Sequence, residues 1–459
     1  MSEKPIESTV DVLITSQRES FWQDVQVILR GYYPYKLHFM KDTDSILSPT
    51  ENLKPLLALV DGQGGTLTTS EWVQSVKMTY PDCPLIVLYG PGDQLDFSLV
   101  KKNGANFIMH TSYDREFVSD MILTLAPVEM RGTNIPVSSL LPIEMTDINT
   151  EEDINFDVYI HLPSNGKSFR VRKGGGKIDD RLLEKSDTTH QRLYIKKTQI
   201  KPFFEYARTI LTMRDMANPV PQTERIYKSK KLIHEIISEF LNSEAADFQA
   251  GKAIFERCRM ILNELEITTA KTPEERIKEI YKFTGHPRST YQDALSMAVF
   301  AAGFASLLGM DAARTESAAL AGLLHNVGLA QMPLSAIGKA PKDLSPEEAS
   351  EYKLYPDRSV ILIKSKKVPL PQEVSTGIVQ HQENADGSGF PHALPNDKIE
   401  PMGKVLRLAM RLLELTALDG DKLGMTPKAA IAAIRDESLN GKSYVDLVTI
   451  TQVFKKFGN

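Results

Sequence analysis

The N-terminal part of the chain alternates short apolar runs with longer amphipathic stretches. The apolar runs are Asp11–Thr15, Leu56–Val60, Leu85–Tyr89 and Asn106–His110. Continuous apolar runs that end in turns are typical of strands buried on both faces of a parallel sheet. The stretch Phe21–Leu29, after the first run, has apolar residues at helical spacing. Strand–helix alternation of this kind predicts a doubly wound α/β domain over residues 1–130.

The pattern changes after Met130. Residues 131–153 are rich in Pro, Thr, Asn and acidic side chains, which is typical of a linker. Short segments that alternate apolar with polar residues follow, and an Asn-Gly pair at 165–166 marks a hairpin turn between two of them. We therefore predict a linker and a small β-rich module over 131–215, ending in a helix at Lys201–Met213. The predicted strands of the module are Phe156–Leu162, Ser168–Lys173 and Arg192–Lys196.

The remainder of the chain, residues 216–459, has the 3.6-residue apolar spacing of helices almost throughout. Its most apolar segment is Tyr291–Leu308, which ends at Gly309. A helix that is apolar on most faces must lie inside a bundle. The fold class predicted for the whole chain is thus multidomain: α/β, then β-rich, then all-α.

Composition narrows the functional classes. The 459 residues include 54 Lys and Arg against 59 Asp and Glu, a net charge of −5, which excludes a broadly basic DNA-binding protein. Cys83 and Cys258 are the only cysteines, so a disulfide framework or a Cys-rich zinc site is excluded. Neither a long apolar run nor a leader-like N-terminus occurs, and we expect a cytoplasmic protein without a membrane span.

Asp61 ends the apolar run LLALVD, and the strand pattern around it resembles response-regulator receiver domains. The resemblance implies that Asp61 holds the position of the phosphoacceptor. In that family an acidic pair after the first strand binds Mg²⁺, but here Ser16 and Gln17 stand there. Tyr89 replaces the family's Thr or Ser, and His110 or Thr111 replaces its Lys. Phosphoryl transfer to a carboxylate needs a divalent ion and a second cation, so we expect an inactive Asp61 in a pseudo-receiver.

Residues 240–420 contain four motifs: TYQDALSMA (Thr290–Ala298), LLHNVGLAQMP (Leu323–Pro333), YPDRSVILIK (Tyr355–Lys364) and QHQENADGSGFP (Gln380–Pro391). By these motifs the region resembles the HD-GYP family, helical bundles that hydrolyse cyclic di-GMP at a centre of two or three metal ions. The last of these motifs is the sharpest match, because the family has His-His-Glu followed by Asp-Gly-x-Gly-Tyr-Pro at this place.

Several of the ligand positions implied by the resemblance hold other residues. The His-Asp pair of the family becomes His325 and Asn326, and its His-His pair becomes His381 and Gln382. Further positions hold Asp293, Ser289, Leu329, Tyr355 and Met410. Asp293, His325 and His381 remain as candidate metal ligands. We expect no cofactor, and the alternative is a single weakly held Fe, Mn or Zn ion.

The loop after His381 keeps most of the family's pattern, with Phe in place of Tyr. Its candidate functional residues are Asp386, Gly387, Gly389, Phe390 and Pro391. The loop can serve the fold, because glycines allow close chain approach, or it can serve as a binding and interaction loop.

Together these features predict a non-catalytic bacterial signal-transduction protein that acts through protein–protein interaction and senses cyclic di-GMP. The resemblance implies signalling proteins as partners, among them a diguanylate cyclase-type protein, and a homodimer is a further candidate. The alternative is a metal-dependent cyclic di-GMP phosphodiesterase with an altered or mononuclear site.

Overall fold

The computed structural model shows the predicted succession of an α/β region, small antiparallel sheets and a helical region. The residues that it describes are 10–29, 35–48, 53–90, 93–111, 115–128, 135, 137–162, 167–183, 192–213, 220–241, 246–286, 288–332, 341–418, 424–441 and 443–457. The fold class predicted from the sequence is thereby confirmed.

Parallel strands form the sheet of the α/β region, in the order β2-β1-β3-β4-β5 among the described residues. The strands are β1 (Val10–Thr15), β2 (Tyr35–Met40), β3 (Leu57–Asp61), β4 (Leu85–Tyr89) and β5 (Phe107–His110). The helices are α1 (Glu19–Leu29), α2 (Thr43–Leu47), α3 (Gly65–Thr79), α4 (Phe97–Lys102) and α5 (Arg115–Leu125). This strand order is the flavodoxin-like form of the doubly wound fold, in which sites lie at the carboxyl ends of the strands.

Strand β2 was not among the strands predicted from the sequence. It lies at the edge of the sheet, pairs only with β1 in the described structure, and is mostly half-buried. Lys36 and His38 interrupt its apolar residues, and the His38 Nε2 lies 2.8 Å from Asp11 Oδ1. An edge strand tolerates such polar residues, so its sequence lacks the continuous apolar run of a central strand.

The middle region contains a sheet of order β6-β11-β8-β9 and a short pair, β10 with β7. Its elements are β6 (Leu140–Ile143), β7 (Asp153–Ile154), β8 (Val158–Leu162), β9 (Lys167–Arg172), β10 (Gly176–Lys177), β11 (Leu193–Lys196) and α6 (Ile200–Met213). The Asn-Gly turn predicted between β8 and β9 lies outside the described residues, but the two strands pair antiparallel, as a hairpin requires.

The stretch interpreted as a linker is in part structured, which corrects the prediction. Strand β6 lies within it and pairs with β11. The buried Asp147 accepts hydrogen bonds from the Thr223 backbone N–H at 2.8 Å and from the Thr223 hydroxyl at 2.7 Å. Pro, Thr and Asn suit turns and caps as well as linkers, so composition alone did not separate the two.

Helices make up most of the C-terminal region. They are α7 (Gln222–Leu241), α8 (Phe248–Glu264), α9 (Pro273–Lys282), α10 (Thr290–Leu307), α11 (Ala312–Leu324), α12 (Pro346–Tyr352), α13 (Tyr355–Ser365), α14 (Gln372–Gln380), α15 (Pro401–Thr416), α16 (Pro427–Leu439) and α17 (Leu447–Phe457). No helix among the described residues is long and apolar enough to cross a membrane.

Helix α10 is the centre of this bundle. Ser289 caps its start by accepting a hydrogen bond from the Gln292 N–H, and Gly309, with φ of 82°, follows its end. Nearly all its residues are buried. Gly322 of α11 lies so close that an added Cβ would be 2.6 Å from the Met297 carbonyl carbon. The helix predicted as central from its apolar faces is therefore confirmed as such.

The α/β region packs against the helical region through α5. The Phe117 ring lies 4.9 Å from the His234 ring of α7 and 5.7 Å from the Tyr291 ring of α10, measured between centroids. An ion pair between Lys197 and Asp120 also joins α5 to the middle region. The two apolar cores are continuous across this contact.

Replacing Phe117 with alanine tests this contact. Phe117 is 5% exposed, so Phe117→Ala should lower the free energy of unfolding by about 3 kcal/mol, the usual cost of deleting a buried aromatic ring. The matched control is Phe248→Ala, since Phe248 is 60% exposed and its removal should cost little. Urea unfolding of both variants measures the difference, and equal unfolding midpoints would contradict the contact.

Candidate functional site

His325 and His381 lie side by side, each at the C-terminal end of a helix. His325 directly follows α11 and His381 directly follows α14. The Nδ1 of each ring faces a carbonyl oxygen three residues earlier: Gly322 O at 2.7 Å for His325 and Ile378 O at 2.6 Å for His381. The ring centroids are 5.1 Å apart. The structure thus brings together two of the three predicted metal-ligand residues.

The Tyr355 side chain forms a hydrogen bond with His381 inside the site. Because the His381 Nδ1 faces a carbonyl, that nitrogen carries the proton and Nε2 is the acceptor. The Tyr355 hydroxyl donates to Nε2 at 2.6 Å. The Gln382 side chain donates to the Tyr355 oxygen at 2.8 Å. We call these three residues the Tyr355 network; it uses the lone pair that His381 would otherwise offer to a metal ion.

Burial keeps both histidines neutral. Desolvation lowers the pKa of His381 to about 4 and that of His325 well below its ordinary value, and the neighbouring ring of His381 lowers the pKa of His325 further. Desolvation also raises the pKa of Tyr355 well above its ordinary value, so its hydroxyl keeps its proton. Hydrogen bonds between uncharged groups therefore hold the centre of the site at neutral pH.

Asp293, the third predicted ligand, faces an arginine. Its Oδ2 accepts a hydrogen bond from Arg288 Nε at 2.7 Å. Although desolvation opposes it, the Asp293 carboxylate raises the pKa of Arg288. Asn326 has a structural contact of its own, since its side-chain amide donates to the Thr290 carbonyl at 2.9 Å. Asn326 thereby joins the end of α11 to the start of α10.

The residues present do not fit the metal centre that the resemblance implies. Among the described residues, no three His, Cys, Asp or Glu side chains come together as candidate ligands. Asn326 is neutral and lacks the carboxylate that bridges two metal ions. Tyr355 and Met410, at two further positions where the resemblance implies ligands, are each 2% exposed and fill space with aromatic and apolar bulk.

The segment that directly follows the loop Asp386–Pro391 is held by a glutamate that was not among the predicted site residues. Glu383 is fully buried, and its two carboxylate oxygens accept the backbone N–H groups of His392 at 2.7 Å and Leu394 at 2.9 Å. Asp386 Oδ1 accepts the N–H of Ser388 at 3.0 Å, which closes the turn. The signal was present in the sequence, because a carboxylate preceding a Gly-rich loop can satisfy its free N–H groups.

Phe390 links this loop to the Tyr355 network. Its ring centroid lies 6.2 Å from that of Tyr355 and 5.8 Å from that of Tyr352, and the Phe390–Pro391 peptide bond is cis. The Phe390 N–H donates to the Gln382 carbonyl at 3.1 Å. The loop therefore forms one wall of the site.

A row of arginines and glutamates continues from the loop along α15. Arg407 Nε donates to Asn384 Oδ1 at 2.8 Å, and Arg407 Nη1 donates to Glu414 at 3.0 Å. Arg411 Nη1 donates to the other Glu414 oxygen at 2.8 Å. Although burial opposes it, these two guanidinium groups hold the pKa of Glu414 below its ordinary range. Charges near the site are thus paired with one another.

Asp61, which the resemblance places at the phosphoacceptor position, also has a full set of hydrogen-bond partners. Asp61 accepts Arg18 Nε at 2.8 Å and Arg18 Nη2 at 2.5 Å, one on each oxygen. The Ser16 hydroxyl donates to Oδ2 at 2.5 Å, and the Gln63 N–H donates to Oδ1 at 3.0 Å. His110, one of the two candidates for the position of the family's lysine, is buried with its ring 5.1 Å from that of Tyr89. The sequence analysis did not identify Arg18.

Comparison with known families gives one match to a family model. The model described as "HD domain" matches residues 271–445, which span α10, α11, the Tyr355 network and the Asp386–Pro391 loop. No curated protein matches the chain.

Solved structures similar to the chain include one HDG"Y"P protein and two shorter proteins of the receiver type. Bd1817, an HDG"Y"P protein from Bdellovibrio bacteriovorus, covers 70% of this chain and is itself covered completely, at 16% identity and a TM-score of 0.37. Two receiver proteins each cover 26% of this chain. Chemotaxis protein CheY4 of Vibrio cholerae is covered to 99%, with 18% identity and a TM-score of 0.23. The receiver domain of an HD domain-containing protein from Pseudomonas fluorescens Pf-5 is covered to 94%, with 20% identity and a TM-score of 0.22.

The low pKa of His381 predicts a pH dependence of stability. Between pH 6.5 and 4 the unfolded chain binds more protons at this position than the folded chain, so stability falls as the pH is lowered. His381→Gln keeps an acceptor for Tyr355 but does not titrate. It should therefore reduce this loss by up to about 1.4 kcal/mol per pH unit.

Urea unfolding at pH 7.0, 6.0 and 5.0 measures this slope. The control is His392→Gln, which removes a histidine whose side chain is 48% exposed, and the slope of His381→Gln is compared with the slope of this control. A slope in His381→Gln equal to that of the unmodified protein would contradict a neutral, buried His381.

The two loop glycines should differ in their tolerance of substitution. A Cβ at Gly389 would lie 2.5 Å from the Gln382 oxygen, so Gly389→Ala must displace backbone and should cost about 2–4 kcal/mol of stability. Gly387 has φ of 75°, which asparagine accepts, and an added Cβ would make only an ordinary contact, 3.9 Å from the Ala393 carbonyl oxygen. Gly387→Asn should therefore cost less than about 1 kcal/mol. Thermal unfolding compares the two, and equal losses would contradict this packing of the loop.

Proposed function

We propose that this chain, whose residues 271–445 match the HD domain family, is a non-catalytic signal-transduction protein of the HD-GYP type. In this proposal the helical region and the pseudo-receiver serve as surfaces for other signalling proteins, among them a diguanylate cyclase-type partner. The single observation that carries the proposal is the Tyr355 hydroxyl on His381 Nε2, since it occupies a lone pair that metal-dependent hydrolysis would need.

The surrounding chemistry supports the same proposal. Hydrolysis of a phosphodiester by a metal enzyme needs an activated water and charge to stabilise the developing oxyanion. Here Asn326 is neutral and bonded to Thr290, and the carboxylate of Asp293 faces Arg288. The groups that remain are either uncharged or paired. They suit a stable, closed centre better than a site that must bind and release metal-held oxygen atoms.

Cyclic di-GMP sensing is the second part of the proposal, and Arg288 is the residue that favours it. Its side chain is 43% exposed and lies beside the Asp293 carboxylate at the start of α10. A guanidinium can donate two parallel hydrogen bonds to a phosphate group without a metal ion, and it can stack on a nucleotide base. Arg288 therefore gives the HD domain a metal-independent contact for a cyclic dinucleotide.

A hydrolysis assay tests the non-catalytic proposal. Purified protein with cyclic di-GMP and Mn²⁺ or Fe²⁺ should release product no faster than buffer alone, and His325→Ala should behave identically. Metal analysis of the same sample separates the alternative enzyme. Metal-dependent turnover that disappears in His325→Ala, with near-stoichiometric iron, manganese or zinc, would establish a phosphodiesterase with an altered site and overturn the proposal.

Calorimetry tests the sensing proposal. Cyclic di-GMP should bind in the presence of a chelator, with a negative heat-capacity change. Arg288→Ala should weaken binding about tenfold or more, since a hydrogen bond to a charged group contributes about 1.5–3 kcal/mol. The matched control is Arg314→Ala, whose side chain is also 43% exposed and forms a surface ion pair with Glu373. Equal effects of the two substitutions, or no binding at all, would contradict nucleotide sensing through Arg288.

A further inference from the structure

We propose that Arg18 is the resident cation of the phosphoacceptor pocket, a guanidinium built into the chain in place of an exchangeable divalent ion. The role goes beyond the proposed function, because it concerns how the α/β region is held and not what the helical region binds. In this role Arg18 neutralises the Asp61 carboxylate permanently, and the residues around Asp61 stay in place without a metal ion or a phosphate.

The geometry of the ion pair supports this role. Arg18 lies in the segment between β1 and α1, and Asp61 is the last residue of β3. Both oxygens of Asp61 receive a guanidinium N–H, at 2.8 and 2.5 Å, in the two-pronged arrangement that lysine cannot form. The Asp61 side chain is only 6% exposed, so its charge requires a partner inside the pocket.

Ser16 and Gln63 complete the shell around the carboxylate. Ser16 Oγ donates to Asp61 and also accepts the Arg18 backbone N–H at 2.9 Å, which fixes the turn that carries the guanidinium. The Gln63 N–H donates to the other oxygen. Four hydrogen bonds from described donors therefore converge on one carboxylate, and they leave it poorly placed to take a metal ion or attack a phosphorus atom.

The charge of Arg18 also acts on a second carboxylate, that of Asp93. Asp93 follows β4 and accepts the Gly90 N–H at 2.8 Å. Burial raises the pKa of Asp93, and the charges of Arg18 and Asp61 act on it in opposite directions. Asp61 ends β3 and Asp93 follows β4, the strand that pairs with β3, so both carboxylates belong to the same end of the sheet. Without the guanidinium, Asp61, Asp93 and the Ser16 hydroxyl would offer oxygen donors of the kind that suits Mg²⁺.

The experiment measures thermal unfolding of the full chain with and without 20 mM Mg²⁺. The unmodified protein should show no change in its transition. Arg18→Ala should unfold at lower temperature in chelator and should regain about 2–4 °C in Mg²⁺, because an ion that binds only the folded state stabilises it. Arg18→Lys keeps the charge and should stay insensitive to Mg²⁺.

Two controls assign the Mg²⁺ response to this pocket. The double variant Arg18→Ala, Asp61→Asn should lose the response. Arg170→Ala removes another exposed arginine, which is paired with Asp157, and should show none. A Mg²⁺ shift in the unmodified protein, or destabilisation of Arg18→Ala without a Mg²⁺ response, would overturn the proposal. If Arg18→Ala does not fold in chelator, Arg18→Gln supplies the same comparison, and recovery of folding by Mg²⁺ would support the proposal.

Discussion

A buried imidazole needs a hydrogen-bond partner for each ring nitrogen, and this requirement shapes the centre of the helical region. In His381 the helix carbonyl of Ile378 satisfies one nitrogen and the Tyr355 hydroxyl satisfies the other. The second contact has to come from a neighbouring helix, so it fixes how α13 lies against α14. Gln382 then holds the tyrosine oxygen, and its own backbone carbonyl accepts the N–H of Phe390. The position of the glycine-rich loop thus depends on the same small network.

The α/β region meets a related constraint with charge. A carboxylate as buried as that of Asp61 is costly unless it is paired, and Arg18 supplies the pair from within the chain. The same arrangement recurs at Asp293 with Arg288. At both places an arginine stands against the acidic group that the family resemblance would assign to metal or phosphoryl chemistry. A fixed cation neutralises the carboxylate permanently, whereas a bound metal ion can be exchanged.

Much of the fold could be predicted from the pattern of apolar residues, because these are the residues that become buried on folding. The central strands and the all-round apolar helix α10 were predicted correctly, since each is surrounded by other elements. Strand β2 and strand β6 were missed, because an edge strand and a strand in a Pro- and Asn-rich stretch lack a continuous apolar run. The apolar pattern therefore identifies strands that are buried on both faces better than strands that pair at the edge of a sheet.

The candidate site could be located from the sequence but not completed. His325 and His381 were predicted as neighbours by family resemblance, and their rings are in contact. Tyr355 was interpreted only as a lost ligand, because no local signal shows that its hydroxyl reaches a residue 26 positions away. Arg18, 43 positions from Asp61, was overlooked for the same reason. The roles of Tyr355 and Arg18 depend on hydrogen-bond partners that are distant in sequence. Only the folded structure shows which partners these are.

Backbone and side-chain constraints therefore act differently on this chain. Gly322 and Gly389 lie where a neighbouring backbone leaves no room for a Cβ, so the frame of the bundle admits little else at those positions. The constraint is weaker at Tyr355, Asn326 and Arg18. There, any side chain that forms the hydrogen bond needed by the buried partner leaves the backbone packing intact. A fold can thus keep its loops and helix contacts while its polar centre changes from one that binds a ligand to one that is closed by hydrogen bonds.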